Sequence, residues 1–229
     1  MTYRPLKYMG SKYMLADWIV SLFDGQDFTN YIEVFGGGGN VMLHMMDKQK
    51  YQDITYVYND LFKPVCIFFR VLRDEHQHKR LLHKLQFTEY SRELYEKLED
   101  FILKFCRGNN DIKGFTDDVE IAWAFYVKTT INKSGMLKPR GGFDMSLQRK
   151  NGLADMEKIK EQLTFFANRF KQCYIENLDY KDLLRKWDND KALIYCDPPY
   201  NTFEGHKFYG AVIDSHTPVS YTHLRAHET

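Results

Sequence analysis

No uninterrupted apolar run in this sequence approaches the ~18 residues that a membrane-spanning helix needs. Nor is there a surplus of charge: 32 Lys and Arg stand against 31 Asp and Glu, a formal net charge of +1. Overall charge therefore does not by itself demand a nucleic-acid partner. The four cysteines, Cys66, Cys106, Cys173 and Cys196, form no Cys-x-x-Cys pair. They read as free thiols of a reducing cytoplasm, which argues against a disulfide frame or a zinc site. Internal repeats and low-complexity linkers are missing too. The opening Met1-Thr2-Tyr3-Arg4-Pro5 has no apolar segment behind it, so a secretory signal is not expected. What is present is 229 residues, 44% hydrophobic and 16% aromatic. That is enough for one or two soluble domains with a proper core.

The most informative stretch is Leu193-Ile194-Tyr195-Cys196-Asp197-Pro198-Pro199-Tyr200. Residues 193–196 form a short apolar run of the kind that fills a buried parallel strand. It stops at an acid and two prolines, neither of which can donate to a strand ladder. Asp197 and Tyr200 are thus expected just past a strand end, where open α/β sheets bind their ligands. A rigid turn is the plain alternative.

Near the other end, Tyr31-Ile32-Glu33-Val34-Phe35 is a strand-like run that breaks at Gly36-Gly37-Gly38-Gly39, and residues 40–46 then read as a helix. Strand, glycine turn and helix start bring backbone N–H groups close to a polar ligand. The dinucleotide fingerprint Gly-x-Gly-x-x-Gly fails, because its last position is Val41 or Met42. Residues 55–60 form the next strand. Asp60, at its end, is placed either to bind ribose hydroxyls or to cap a following helix. The loop Gly10-Ser11-Lys12 is not a phosphate loop, since Pro5 occupies the position that would need glycine. A helix is expected over residues 14–23.

Residues 61–105 and 119–131 show helical spacing of apolar positions, with His76, His78 and His83 on polar faces. Residues 128–150 carry six basic side chains, including Lys133 and Arg140, against the single acid Asp144. That local surplus suits phosphate contact. A helix over 155–170, a strand over 173–177 and a helix over 179–187 lead into the Asp-Pro-Pro-Tyr strand. The expected architecture is an α/β catalytic domain interrupted by a mostly helical one. Its predicted parts are 1–62 and 172–214 for the catalytic domain, 63–171 for the insertion and 215–229 for an unrelated or disordered tail.

With these pieces in order, the sequence resembles the DNA adenine-specific (N6) methyltransferases of the Dam-like family over about residues 6–209. The likeness rests on Lys7-Tyr8-Met9-Gly10-Ser11-Lys12, Glu33-Val34-Phe35 with Gly36 to Gly39, Asn59-Asp60 and Asp197-Pro198-Pro199-Tyr200. It implies a Rossmann-like sheet with an inserted target-recognition domain, S-adenosyl-L-methionine as cofactor and double-stranded DNA as partner. The expected protein is a cytoplasmic monomer of restriction–modification type. Tyr8, Lys12, Phe35, Gly37, Asp60 and Asp197 would line the cofactor. Asp197, Pro198 and Tyr200 would act on the target base, and Asn132, Lys133 and Arg140 would meet DNA. No metal is implied, and the Pro-Cys dipeptide needed for attack at cytosine C5 is absent. Methylation of cytosine N4 or of another amino or amide group, and a non-catalytic DNA-binding module, are the alternatives. Only 29 residues follow Tyr200, fewer than the family's further strands require, so a fragment is expected. The segment from about Ser215 lacks apolar periodicity.

Overall fold

The computed structural model describes residues 6–8, 10–106, 117–131 and 155–198. Four parallel strands, β1 (Asn30–Glu33), β2 (Thr55–Asn59), β3 (Cys173–Glu176) and β4 (Ala192–Tyr195), lie in the order β3-β2-β1-β4. Tyr31 stands opposite Tyr56 on one side and Leu193 on the other. β1 therefore has a neighbour on both edges, and Tyr31, Ile32 and Val34 are wholly buried. The sequence places strand structure through Phe35; the ladder ends sooner. Val34 N still reaches Tyr195 O at 3.0 Å, after which the chain turns into the glycines.

Side chains alternate across a strand, so each face has its own set. Tyr31, Tyr56, Tyr58, Cys173, Ile175 and Leu193 enter a large core. That core is completed by α1 (Ala16–Ser21), α2 (Asn40–Met46), α3 (Lys63–Arg73), α4 (Glu75–Gln86), α5 (Arg92–Cys106), α6 (Asp118–Ile131) and α7 (Met156–Phe170). The opposite face, with Ile32, Val34 and Val57, meets Leu183 of α8 (Tyr180–Trp187) in a smaller cluster.

The helical run expected over 61–105 is three helices. Asp74 breaks it: its backbone is extended, with ψ 117°, and its carboxylate accepts from Gln77 N at 2.8 Å, capping α4. Asp155 and Asp179 cap α7 and α8 in the same way. α3 begins at Lys63 with Phe62 as its cap residue and Pro64 in its first turn, later than the sequence places it. α1 is shorter than the expected 14–23. His76 and His83 are exposed, but His78 is half-buried with Nε2 enclosed, and burial lowers its pKa.

The core runs across the sequence boundaries drawn at 63 and 171. Phe69 of α3 stacks on Phe170 of α7 at 4.1 Å between ring centroids, and Tyr58 of β2 meets both rings edge-on. Phe68 stacks on Tyr126 of α6 at 5.6 Å. α3 thus joins the sheet to the helices through its aromatic face. Among the described residues, no helix is long and apolar enough to cross a membrane.

Candidate cofactor and amino-group site

The glycine turn after β1 is tied to the end of β2 by three hydrogen bonds. Gly36 N donates to Asn59 O at 2.7 Å, Tyr58 Oη donates to Gly37 O at 2.6 Å, and Gly37 N donates to Asp60 Oδ2 at 2.8 Å. Gly37 adopts φ 48°, a left-handed conformation that favours glycine. Gly36 is required for space: a Cβ there would lie 2.2 Å from the Tyr58 ring.

Asp60 does more than close its strand. Its Oδ1 accepts from Phe62 N at 2.8 Å, forming a side-chain turn ahead of α3. Burial raises its carboxyl above the usual range, against the two N–H donors from Phe62 and Gly37 that pull it down. Asn177, beyond β3, donates to Asp60 O at 2.7 Å. Asn59 bridges the same ends, donating to Val34 O at 2.9 Å and accepting from Leu178 N at 2.9 Å.

The N-terminal loop closes the site from the other side. The Tyr8 ring lies over the turn, 3.2 Å from where a Cβ on Gly37 would be. Ser11 Oγ accepts from Asn40 Nδ2 at 3.1 Å, joining this loop to the start of α2. Lys12 Nζ meets Asp197 Oδ2 at 2.5 Å, with both side chains about one-fifth exposed, and also donates to Gly10 O at 3.1 Å. β1 and β4 pair in register, so the glycine turn and Asp197-Pro198 leave neighbouring strand ends together.

Of the residues expected at a cofactor, Tyr8, Lys12, Gly37, Asp60 and Asp197 gather at the carboxyl ends of β1, β2 and β4. Phe35 turns to the α8 face, with its ring 6.2 Å from that of Tyr180. Tyr200 and the expected DNA-contacting residues Asn132, Lys133 and Arg140 lie outside the described residues.

Two residues with no role expected from sequence belong here. Glu33 is 2% exposed; its Oε2 accepts from Met42 N at 2.9 Å and from Tyr31 Oη at 3.1 Å. Burial pushes its carboxyl up to about 8, with the charges of Asp197 and Asp60 acting in the same direction. An acid inside an otherwise apolar strand run was the available signal. Asn40 is 4% exposed, and its Oδ1 is enclosed without a hydrogen-bond partner within the protein. No sequence pattern marks it.

A parallel sheet with a glycine turn after its central strand, an acid after one neighbour and Asp-Pro after the other defines an α/β protein. In sheets of this kind ligands bind in the crevice at the carboxyl ends of the strands. More specifically, residues 8–219 match the D12 class N6 adenine-specific DNA methyltransferases, and the chain belongs to that family. It is also similar to the modification methylase StsI of Streptococcus sanguinis, with 25% identity over 197 residues. That alignment covers 86% of this chain and 28% of the relative, so the chain spans a little over a quarter of that protein's length.

Proposed function

We propose that this protein transfers a methyl group from S-adenosyl-L-methionine to adenine N6 in double-stranded DNA. The observation that carries this reading is the juxtaposition of Asp197-Pro198 with the glycine turn at paired strand ends, in a chain of this family. The site fits the cofactor chemically. The carboxyl groups of Asp60 and Asp197 both act on buried Glu33 at the strand ends, an acidic setting compatible with a cation, and the enclosed Asn40 Oδ1 has no hydrogen-bond partner within the protein. When bound, S-adenosyl-L-methionine supplies an electrophilic methyl group on a positively charged sulfur.

The protein's own residues then do the positioning. The adenine amino nitrogen is a poor nucleophile because its lone pair is delocalised into the ring. Asp197 and the Pro198 carbonyl accept its two hydrogens, which favours a more tetrahedral nitrogen with its lone pair aimed at the methyl group. Asp197 Oδ2 is committed to Lys12, so Oδ1 is assigned to the target. Tyr200 would stack on a base turned out of the duplex. Tyr8 and Gly37 line the cofactor, and Asp60 takes its ribose hydroxyls. The segment 63–171 holds the recognition surface, with its helices anchored on the sheet's core.

The deciding experiment is mass spectrometry of nucleosides from DNA incubated with the protein and methyl-labelled cofactor. Label is expected in N6-methyladenine; label in N4-methylcytosine, or in protein alone, rejects the proposal.

Three variants separate the parts. Asp60→Ala removes the acceptor for ribose and frees Gly37 N, so cofactor affinity should fall at least about tenfold, the worth of a hydrogen bond to a charged group. Isothermal titration showing unchanged affinity would leave Asp60 as a turn former only. Lys133→Ala and Arg140→Ala should weaken DNA binding across sequences. Each should lower the log–log salt slope by about 0.9, one phosphate contact apiece. A loss confined to one base pair would mean instead that the side chain reads a base edge.

A further inference from the structure

Glu33 is a buried titratable group that methyl transfer does not use. It ends β1, three residues before Gly36, and its Oε2 reaches past the glycine turn to the backbone N–H of Met42 in α2 while also holding the Tyr31 hydroxyl. One side chain thus braces the turn from both ends. The groups facing it are mostly acidic or neutral. They are Tyr31 on its own strand, Tyr58 from β2 and Asp60 just after it, Cys173 from β3, and Asp197 after β4. Lys12, the cation nearest this group of acids by its contacts, is joined to Asp197.

We propose that Glu33 is a positioning residue for the glycine turn and that it gives up its proton to solvent when the cationic cofactor binds beside it. This rests on the S-adenosyl-L-methionine reading above. Without ligand, burial and the neighbouring acids hold the carboxyl protonated, its pKa raised to about 8. Burial is the larger cause of that rise, and a positive charge placed among Asp60 and Asp197 offsets the smaller part that those two acids add, lowering the pKa of Glu33. Ionised, Glu33 accepts from Met42 N and Tyr31 Oη as a carboxylate, and such charge-assisted bonds are shorter and stronger. Binding therefore tightens the turn that holds the ligand.

The sign follows from linkage. A ligand that lowers the pKa of a bound proton's site releases that proton, so its affinity rises with pH until the unliganded group has ionised. Affinity for S-adenosyl-L-methionine should climb by up to about tenfold per pH unit on the acid side of the Glu33 pKa and level off above it. Isothermal titration in two buffers of different ionisation enthalpy counts the protons. Near neutral pH, the wild type should release measurably more protons than Glu33→Gln; the ligand's own amino group contributes equally to both. S-Adenosylhomocysteine lacks the sulfonium charge and should release less than S-adenosyl-L-methionine from the wild type, a comparison that needs no variant to fold. Equal proton release by the two ligands, or by wild type and Glu33→Gln, overturns the proposal while leaving the enzyme reading intact. Failure of the wild type to bind either ligand overturns both.

Discussion

Asp197→Ala is expected to lower methyl transfer by ~10²–10³, the usual loss when one preorganised acceptor is removed from a reacting centre. Asp197 lies at the end of β4, held by the β1 pairing on one side and by the rigid Pro198 on the other, and its carboxylate is fixed by Lys12 at 2.5 Å. Removing it takes away the acceptor for the target amino group. It also strips Lys12 of its counter-charge in a site where that side chain is only 19% exposed. The loss should therefore appear in turnover measured at saturating cofactor and DNA, with a smaller change in cofactor affinity. Asp197→Asn keeps the shape and one carbonyl acceptor but removes the charge, so it should fall between the two. Undiminished turnover of the alanine variant would show that another group meets the adenine nitrogen.

Gly36→Ala should destabilise the fold by about 3 kcal/mol, at or above the upper end for overpacking a filled site. That corresponds to a midpoint lowered by roughly 6–12 °C in a chain of this size. The added methyl would lie 2.2 Å from a ring carbon of Tyr58. The ring has nowhere to go: Tyr58 is wholly buried, Phe69 and Phe170 stand edge-on to it, and its hydroxyl is bonded to Gly37 O. Either the ring or the turn must shift, and a shifted turn also breaks the Gly36–Asn59 bond that aligns it with β2. Thermal unfolding of the variant with and without Tyr58→Ala tests the cause. Contacting residues couple, so the alanine at 36 should cost much less once the ring is gone. Additive losses would place the strain elsewhere.

The local signals proved the most legible. The helix over residues 40–46 and its strand-and-glycine lead-in are visible in the sequence because side-chain period, glycine and proline act on the backbone within a few residues. The same holds for Asp60 at a strand end and Asp197 before two prolines. The long helical run between residues 61 and 105 was legible as helix but not as three helices. Its break at Asp74 depends on a carboxylate folding back onto Gln77 N, which looks in sequence like one more polar residue.

The sequence alone determined the class of this protein: alternating strands and helices, a glycine turn, an acid and an Asp-Pro end in an order that resembles one methyltransferase family. Tertiary structure alone decided which of these touch. Strand order β3-β2-β1-β4 sets β1 beside β4, strands far apart in the sequence, and only in the fold do Lys12 and Asp197 become an ion pair. Gly36 reads as a flexible residue until Tyr58 is folded onto it. Asn40 carries no mark in the sequence, and only the fold brings the Phe35 ring beside Tyr180 of α8. The physical reason is common to all of these. Local conformation is written in neighbouring residues, whereas burial, charge and close contact arise only when distant segments meet across the sheet.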